Sequence, residues 1–205
     1  MTKTLGQLQK YFSQFVPDRD ALLGQLEEEA GQQGIPIIGP VMGELLAILV
    51  CSTGARAIVE LGTATGYSAI YLAKACRSYG GQVLTIERDP AMAARAEANF
   101  EAAGLTDSVE VKVGEASNIM AGLAPSFDLV FMDIDKQDYA EVLPHCHRLL
   151  RPGGLLIADN VSFEGARGFN ETISSQNQWR AVHLLCFLPG HSPENDGISL
   201  AIRVE

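Results

Sequence analysis

The stretch Glu60-Leu61-Gly62-Thr63-Ala64-Thr65-Gly66-Tyr67-Ser68 decides the fold of this chain. The apolar run 57–61 predicts a buried strand before the two glycines, and a helix is predicted over 68–76. The glycines permit a tight turn and a close approach of a ligand to the backbone. The first amides of the following helix can bind a carboxylate or a phosphate. An ordinary glycine turn remains the alternative, because glycines commonly mark the turn between a strand and a helix. The spacing is not the GxGxxG of dinucleotide-binding proteins, which disfavours a dinucleotide ligand.

Apolar runs alternate with helical patterns through the rest of the chain. Further strands are predicted at 82–87, 109–113, 127–132 and 155–158. This alternation predicts a mostly parallel sheet that helices cover on both faces. The segments 179–187 and 198–203 have only a loop between them, so we expect an antiparallel hairpin at the sheet edge. The chain is interpreted as one domain, 1–205, with N-terminal helices in 1–52 and an α/β core in 57–205.

The composition excludes several classes of protein. Hydrophobic residues make up 47% of the 205 residues, which excludes a disordered or fibrous chain. The formal net charge of −10 disfavours a nucleic-acid partner, which would require clustered Lys and Arg. The N-terminal sequence lacks the apolar stretch of a signal peptide, and no apolar run is long enough to cross a membrane. We therefore predict a cytoplasmic protein with buried, reduced cysteines and no zinc site; the cysteines are Cys51, Cys76, Cys146 and Cys186.

In parallel sheets, ligands bind at the carboxyl ends of the strands, so the residues that follow each strand are informative. Glu87 ends the second predicted strand, about 20 residues after the glycine loop, where an acidic side chain can accept hydrogen bonds from ribose hydroxyls. A solvated charge at the end of the strand is the alternative. Glu115 follows the third strand and either meets an adenine edge or caps the next helix. Together with the loop, these positions indicate an adenosine-containing ligand.

Oxygen-bearing side chains follow the fourth and fifth strands. Asp133, Asp159 and Asn160 would lie at adjacent strand ends and offer the hard ligands that Mg²⁺ prefers. A helix cap is the alternative interpretation of a single Asp at such a position. Lys136 follows closely and is either a surface lysine or a base.

At these residues the sequence resembles the cation-dependent O-methyltransferases that act on catechols and caffeoyl-CoA. The stretch Glu60–Ser68 resembles their S-adenosylmethionine loop, and Thr85-Ile86-Glu87-Arg88-Asp89-Pro90 resembles their ribose-binding segment. Asp133-Ile134-Asp135-Lys136 and Asp159-Asn160-Val161 resemble their metal and catalytic segments. The resemblance covers roughly residues 35 to 203. It implies a Rossmann-like methyltransferase sandwich with a seven-stranded, mostly parallel sheet and a C-terminal antiparallel hairpin.

The resemblance also implies a role for each matching residue. Asp133, Asp159 and Asn160 become ligands of Mg²⁺, or of another divalent cation such as Mn²⁺ or Ca²⁺. Lys136 becomes the group that takes the proton of the substrate hydroxyl, beside Asp133. The implied contacts of S-adenosylmethionine are Glu60, Gly62, Thr63, Gly66, Ser68, Glu87, Arg88, Glu115, Ala116 and Asp133. The implied reaction is methyl transfer to a hydroxyl of a small catechol-like or polyhydroxylated acceptor, in a homodimer.

Three segments depart from the family pattern. Glu115 stands where the family more often has Asp. The loop Val161 to Arg167 is shorter than usual and predicts a smaller lid over the substrate. The segment Pro189 to Asp196 is longer and predicts a different pocket wall; within it we interpret His191 as a surface-loop histidine in preference to a substrate contact.

Other interpretations stay open at this point. A nicotinamide-dependent oxidoreductase would also use Glu87, and a protein that binds S-adenosylmethionine without catalysis would fit an altered lid. Methylation of a tRNA hydroxyl is disfavoured by the net charge. The N-terminal apolar residues either form a partner surface or pack on their own domain; they are Leu5, Leu8, Phe12, Phe15 and Val16.

Overall fold

The computed structural model describes residues 5–204, which form a seven-stranded sheet of order β3-β2-β1-β4-β5-β7-β6. The strands are β1 (Ala57–Leu61), β2 (Gln82–Glu87), β3 (Val109–Val113), β4 (Phe127–Met132), β5 (Leu150–Ala158), β6 (Trp179–Phe187) and β7 (Asn195–Arg203). Strands β1 to β5 pair in parallel, whereas β7 runs antiparallel to both β5 and β6. The predicted parallel sheet with a C-terminal hairpin is confirmed.

Helices cover both faces of this sheet. They are α1 (Leu8–Phe12), α2 (Ala21–Gln33), α3 (Gly39–Thr53), α4 (Tyr67–Cys76), α5 (Pro90–Ala102), α6 (Ala116–Gly122), α7 (Tyr139–Leu149) and α8 (Arg167–Ser175). Buried side chains of α2 to α5 form one core with the sheet, and those of α6 to α8 form a second core on the opposite face. No helix within residues 5–204 is long and apolar enough to span a bilayer.

Local sequence signals set the helix ends. Asp89 caps α5 by accepting a hydrogen bond from the amide of Ala91 at 2.8 Å, and Pro90 occupies the first turn of this helix. Asp20 caps α2 in the same way through the amide of Leu23 at 3.0 Å. Gly34 ends that helix with φ of 67°, a conformation that favours glycine.

The strand register brings the predicted site residues to one edge. Leu61 lies opposite both Ile86 and Met132, and Met132 lies opposite Ala158. The residues that follow these positions are therefore neighbours across four strands: Gly62, Glu87, Asp133 and Asp159. Backbone hydrogen bonds continue the ladder beyond the strands, from the amide of Asp133 to the carbonyl of Leu61 at 2.9 Å.

The segment 151–154, which precedes the predicted strand 155–158, belongs to β5. Within it, the pairing with β4 jumps from Leu150 opposite Phe127 to Leu155 opposite Leu129. The extra residues form an irregular excursion that the ion pair of Arg151 with Asp128 (2.6 Å) fastens to β4. Gly153 and Gly154 therefore permit a bulge inside the strand.

Two expectations about side-chain burial are corrected in part. Cys76 and Cys146 are buried free thiols, but Cys186 is half-buried and Cys51, in the last turn of α3, is exposed. The alternative that the N-terminal apolar residues pack on their own domain fails for four side chains that are 51–61% exposed, while Val16 is half-buried. The exposed four are Leu5, Leu8, Phe12 and Phe15.

Candidate active site

A cleft of about 390 Å³ lies at the carboxyl edge of the parallel strands. It collects most of the predicted site residues in one wall: Gly62, Thr63, Ser68, Glu87, Arg88, Glu115, Ala116, Asp133, Lys136, Asp159 and Asn160. Glu60 and Gly66 do not line it. The edge that the alternating pattern indicated is therefore the edge where the chemistry-bearing residues meet.

The two loop glycines are required by space as well as by conformation. Gly62 has φ of +94°, and a Cβ there would lie 2.1 Å from the carbonyl oxygen of Asp133. Gly66 has φ of +84°, and its Cβ would lie 2.6 Å from the ring of Phe100. Any larger residue would separate the loop from β4 or from α5. Gly66 thus supports the turn from behind, while Gly62 forms part of the cleft wall.

Glu87 is held by the backbone of the loop and of its own turn. One carboxylate oxygen accepts hydrogen bonds from the amides of Thr63 (3.2 Å) and Ala64 (2.9 Å), and the other accepts one from the amide of Asp89 (2.9 Å). A carboxylate oxygen can accept more than one hydrogen bond, so Glu87 retains capacity for ligand hydroxyls. The interpretation of Glu87 as a free solvated charge is wrong.

Glu60 lies behind the cleft wall and is fully buried. Its Oε2 accepts a hydrogen bond from the hydroxyl of Thr85 at 2.6 Å, and that hydroxyl also lies 2.6 Å from the hydroxyl of Thr63. Burial raises the pKa of Glu60 to about 7, against the opposing effect of the Ser68 and Thr85 hydroxyls. The residue therefore connects β1 with β2 beneath the loop, one layer away from any ligand in the cleft.

Glu115 and Arg88 lie at the outer part of the cleft. Glu115 is exposed and directly precedes α6, yet its side chain makes no capping hydrogen bond. Arg88 forms an ion pair with Asp135 at 2.8 Å, which links the end of β2 to the end of β4 across the cleft.

Asp133 and Lys136 form a pair at the end of β4. The Nζ atom of Lys136 donates to Oδ1 of Asp133 at 2.6 Å and to the carbonyl oxygen of Ile134 at 3.0 Å. Desolvation raises the pKa of Asp133; Lys136 opposes this shift, and the charge of Asp159 adds to it. Lys136 is therefore a cleft residue beside a carboxylate, which excludes its interpretation as a free surface lysine.

His191 is buried, and its prediction as a surface-loop histidine is wrong. Only 5% of it is exposed, and its Nε2 lies 2.7 Å from Oδ2 of Asp159. Its Nδ1 lies 2.7 Å from the carbonyl oxygen of Pro193. Burial alone would lower the pKa of His191, but the hydrogen bond and charge of Asp159 outweigh it and the pKa is raised. Asp159 Oδ1 is buried with no hydrogen-bond partner among residues 5–204.

The topology explains how His191 reaches this position. Strand β7 runs antiparallel to β5, with Ser199 opposite Ala158, so β7 begins near the point where β5 ends. The loop from β6 to β7 therefore meets the same sheet edge as the loops of the parallel strands. The predicted hairpin already implied this placement, and combining it with the strand-end rule would have identified His191.

Asn160 adopts φ of 51°, a left-handed conformation that Asn tolerates better than most residues. Its Nδ2 donates a hydrogen bond to Oδ2 of Asp196. The other oxygen of Asp196, which is fully buried, accepts hydrogen bonds from the Ser162 hydroxyl and the Gly197 amide. The amide oxygen of Asn160 consequently lies on the side away from Asp196.

The residues at this edge fit a hard divalent cation. Within residues 5–204, no group of three His, Cys, Asp or Glu side chains could hold a metal ion; the predicted set contains two carboxylates and one amide. The buried and unpaired Oδ1 of Asp159 is an atom whose desolvation is uncompensated, and a cation would compensate it. This observation supports the predicted ligand set.

Sequence reasoning missed one wall of the cleft. The link between α2 and α3 contributes Pro36, Ile37 and Ile38, for which no site role was predicted. The link is fixed against the hairpin loop, because a Cβ on Gly39 would lie 2.4 Å from the carbonyl oxygen of Gly190. The paired prolines of the link were the available signal for a rigid segment.

Comparisons with known proteins agree with this geometry. A family model described as O-methyltransferase matches residues 15–185. The chain is 36% identical over 203 residues to a catechol O-methyltransferase of Niastella koreensis, covering 89% of this chain and 90% of that one.

Two solved structures extend the agreement to the fold. An O-methyltransferase from Bacillus cereus in complex with SAH has a TM-score of 0.85 and 31% identity, covering 96% of both chains. The O-methyltransferase TomG from Streptomyces achromogenes, in complex with SAM, has a TM-score of 0.85 and 29% identity, covering 97% of this chain and 96% of that one. With the glycine loop, the acidic strand ends and these likenesses in agreement, the chain belongs to the O-methyltransferase family of S-adenosylmethionine-dependent enzymes.

Proposed function

We propose that this enzyme transfers the methyl group of S-adenosylmethionine to a hydroxyl of a small catechol-like or polyhydroxylated acceptor, with the help of a divalent cation. The observation that carries the proposal is the placement of Asp133, Asp159 and Asn160 in the same cleft as the glycine loop. A catechol O-methyltransferase among the relatives supports the acceptor class. The family assignment argues against the nicotinamide-dependent alternative.

The first half of the cleft would bind the methyl donor. Glu87 would accept hydrogen bonds from the ribose, and Ser68 at the start of α4 lies where helix amides favour the donor's carboxylate. Arg88, Glu115 and Ala116 would contact the adenine side. Glu60 would act from behind, through Thr85 and Thr63.

The second half would bind the acceptor. Asp133, Asp159 and Asn160 are the residues that would hold Mg²⁺, or Mn²⁺ or Ca²⁺ in its place. A divalent cation bound there would supply Lewis-acid chemistry that lowers the pKa of an acceptor hydroxyl. Asp159 would offer its unpaired Oδ1, and Asn160 its amide oxygen.

Lys136 would take the hydroxyl proton. Two of its N–H bonds are directed at Asp133 and at the carbonyl of Ile134, which leaves the third position of the amino nitrogen for the incoming proton. The acceptor oxygen then forms a bond to the methyl carbon while the carbon–sulfur bond breaks. Proximity in such a cleft can contribute about 7–11 kcal/mol to lowering the barrier.

The test is methyl transfer to a panel of catechols and related diols by wild type and by Asp159→Ala, with and without EDTA. We expect EDTA to abolish activity in wild type and added Mg²⁺ to restore it. Asp159→Ala should reduce turnover by at least about 100-fold, as loss of a catalytic electrostatic group does. Asp107→Ala removes an exposed carboxylate outside the cleft and serves as the matched control.

Activity that neither EDTA nor Asp159→Ala alters would contradict the metal-assisted mechanism. Binding of S-adenosylmethionine without turnover of any acceptor would favour the non-catalytic alternative. Turnover of tRNA but of no small acceptor would overturn the acceptor class, against the expectation from the net charge of −10.

The homodimer and the cytoplasmic location stay predictions. The exposed apolar side chains Leu5, Leu8, Phe12 and Phe15 offer a surface for a second copy. Sedimentation velocity of wild type and of Phe12→Ser/Phe15→Ser would measure the assembly. A wild type that sediments as a monomer would contradict the dimer.

A further inference from the structure

We propose that the hairpin of β6 and β7 carries two positioning residues, His191 in its loop for Asp159 and Asp196 at the start of β7 for Asn160, which direct one oxygen of each of these side chains into the cleft. This inference rests on the proposed function, because the two oxygens are those assigned to the divalent cation. It concerns residues that do not themselves offer an atom to that cation.

The ring of His191 is held in one orientation by a contact at each of its nitrogen atoms. Both ring nitrogens face oxygen acceptors, at 2.7 Å from Pro193 and at 2.7 Å from Asp159. A carbonyl oxygen can only accept, so Nδ1 carries a hydrogen and the ring orientation is fixed. With Nε2 on Oδ2 of Asp159, the carboxylate cannot rotate without losing a buried hydrogen bond. Its Oδ1 is therefore the atom left for a ligand.

Asp196 has a hydrogen-bond partner at each of its carboxylate oxygens. One of its oxygens is occupied by the Ser162 hydroxyl and the Gly197 amide, and the other faces Nδ2 of Asn160. A carboxylate can only accept, so the amide group of Asn160 must turn its nitrogen toward Asp196. The amide oxygen is thereby directed away from Asp196. The carbonyl oxygen of Ser192 also accepts from Nδ2 of Asn160, at 3.4 Å, so this buried carboxylate and one backbone carbonyl together set the orientation of the amide.

The loop between β6 and β7, residues 188–194, is fixed by its own hydrogen bonds. The amide of Leu188 donates to the carbonyl oxygen of Glu194 at 2.7 Å, and the amide of His191 donates to that of Leu188 at 3.0 Å. The amide of Gly190 adds a hydrogen bond to the Glu194 side chain at 3.1 Å. These bonds close the loop on itself and hold His191, whereas Asp196 is held in β7, where it lies opposite Cys186.

Partners of this kind matter energetically because they set the orientation of metal ligands. Their removal typically costs about 10- to 100-fold in metal affinity. Asp159 and Asn160 are adjacent in sequence, and each has its own partner in the hairpin, His191 in the loop and Asp196 in β7. The hairpin therefore orients two neighbouring ligands.

The test is Mn²⁺ binding to the full chain without acceptor, measured by the loss of the free-ion EPR signal and by the spectrum of the bound ion. Asp196→Asn introduces an amide that donates toward Asn160 and so turns the Asn160 oxygen away from the cleft. His191→Leu removes both hydrogen bonds of the ring, and His191→Gln restores an N–H donor. Ser174→Ala and His183→Gln are the matched controls, since both residues are exposed, contact each other and lie outside the cleft.

We expect Asp196→Asn and His191→Leu each to weaken Mn²⁺ binding about 10- to 100-fold and to change the spectrum of the bound ion. His191→Gln should recover most of the affinity, and the controls should stay within about twofold of wild type. The affinity for S-adenosylmethionine, measured by calorimetry, should change less than about threefold in all variants.

Equal Mn²⁺ affinity in wild type, His191→Leu and Asp196→Asn would overturn this inference and leave the proposed function intact. A parallel loss of S-adenosylmethionine and Mn²⁺ affinity, without rescue by His191→Gln, would show a merely structural role and overturn it as well. A wild type that binds no Mn²⁺ would overturn the metal assignment and this inference together.

Discussion

In the half of the cleft formed by β1 and β2, the carboxylates of Glu60 and Glu87 accept hydrogen bonds from hydroxyls and backbone amides. In the half formed by β4, β5 and the hairpin, Asp133 faces the amine of Lys136 and Asp159 faces the imidazole of His191. In the donor half, Glu87 is thus oriented by neutral donors, which suits binding of a cationic sulfonium donor, whereas Asp133 and Asp159 in the acceptor half each face a basic side chain.

The largest expected effect is a loss of turnover from a substitution in the acceptor half alone. Lys136→Met removes the proposed proton acceptor and leaves Asp133 without its basic partner, so kcat should fall about 10²- to 10⁴-fold. The affinity for S-adenosylmethionine should change little, because the donor half is untouched. Single-turnover kinetics and calorimetry measure the two quantities, with Lys112→Met on β3 as control. An unchanged kcat would assign the proton to another group.

The next effect concerns Gly62, which packs against the end of β4 where the donor half meets the acceptor half. Gly62→Ala would place a Cβ 2.1 Å from the Asp133 carbonyl in a backbone with φ of +94°. We expect the free energy of unfolding to fall by about 2–4 kcal/mol, from overpacking and from the left-handed conformation. Gly54→Ala is the matched control, because φ is +63° there and no atom lies within 4 Å, so only about 1 kcal/mol should be lost. Equal losses in urea unfolding would contradict the steric argument.

A third effect concerns the protonation of Glu60, which lies beneath the donor half. The pKa of Glu60 is raised from 4.5 to about 7, so the folded chain holds this proton more tightly than the unfolded chain does. Its stabilising contribution is present below about pH 4.5 and is lost as pH rises through 7, by at most about 3 kcal/mol. Glu60→Gln should remove this decline and be more stable than wild type at pH 8. Urea unfolding of both proteins from pH 4.5 to 8 measures it, and parallel curves would refute it.

The smallest effect concerns the ion pair that joins the halves. Arg88 and Asp135 are 58% and 47% exposed, so their coupling should be only about 0.2–1 kcal/mol and should weaken with salt. A double-mutant cycle of Arg88→Ala and Asp135→Ala on S-adenosylmethionine affinity, at low and high NaCl, measures it. A coupling above 2 kcal/mol, or one independent of salt, would show that the halves are joined more tightly than this contact allows.

The residues that directly follow the parallel strands were predicted from sequence more completely than the rest of the cleft. A parallel strand carries its next residue to a known edge, so Gly62, Glu87 and Asp133 could be placed from their positions alone. The alternation of strands and helices in the sequence does not tell which residues at this edge line the cleft and which lie behind its wall. Glu60 and Gly66 were therefore predicted as ligand contacts, although one is beneath the loop and the other is packed on Phe100.

The acceptor half depends on contacts between distant segments, which periodicity does not report. His191 follows a proline and a glycine in a polar loop, a context that usually indicates solvent exposure. Its burial comes from the direction of β7 and from the carboxylate of Asp159, both remote in sequence. The wall formed by residues 36–38 was missed for the same reason.

The reversed direction of β7 has a consequence for how this enzyme can diverge. A parallel strand in its place would need a helical crossover, whose length and packing are constrained by the sheet. The antiparallel strand instead presents a plain loop to the cleft, and loops tolerate insertion at small cost in free energy. Within the proposed function, the loop residues around His191 can therefore change acceptor preference while the methyl-donor side of the cleft and the sheet stay unchanged.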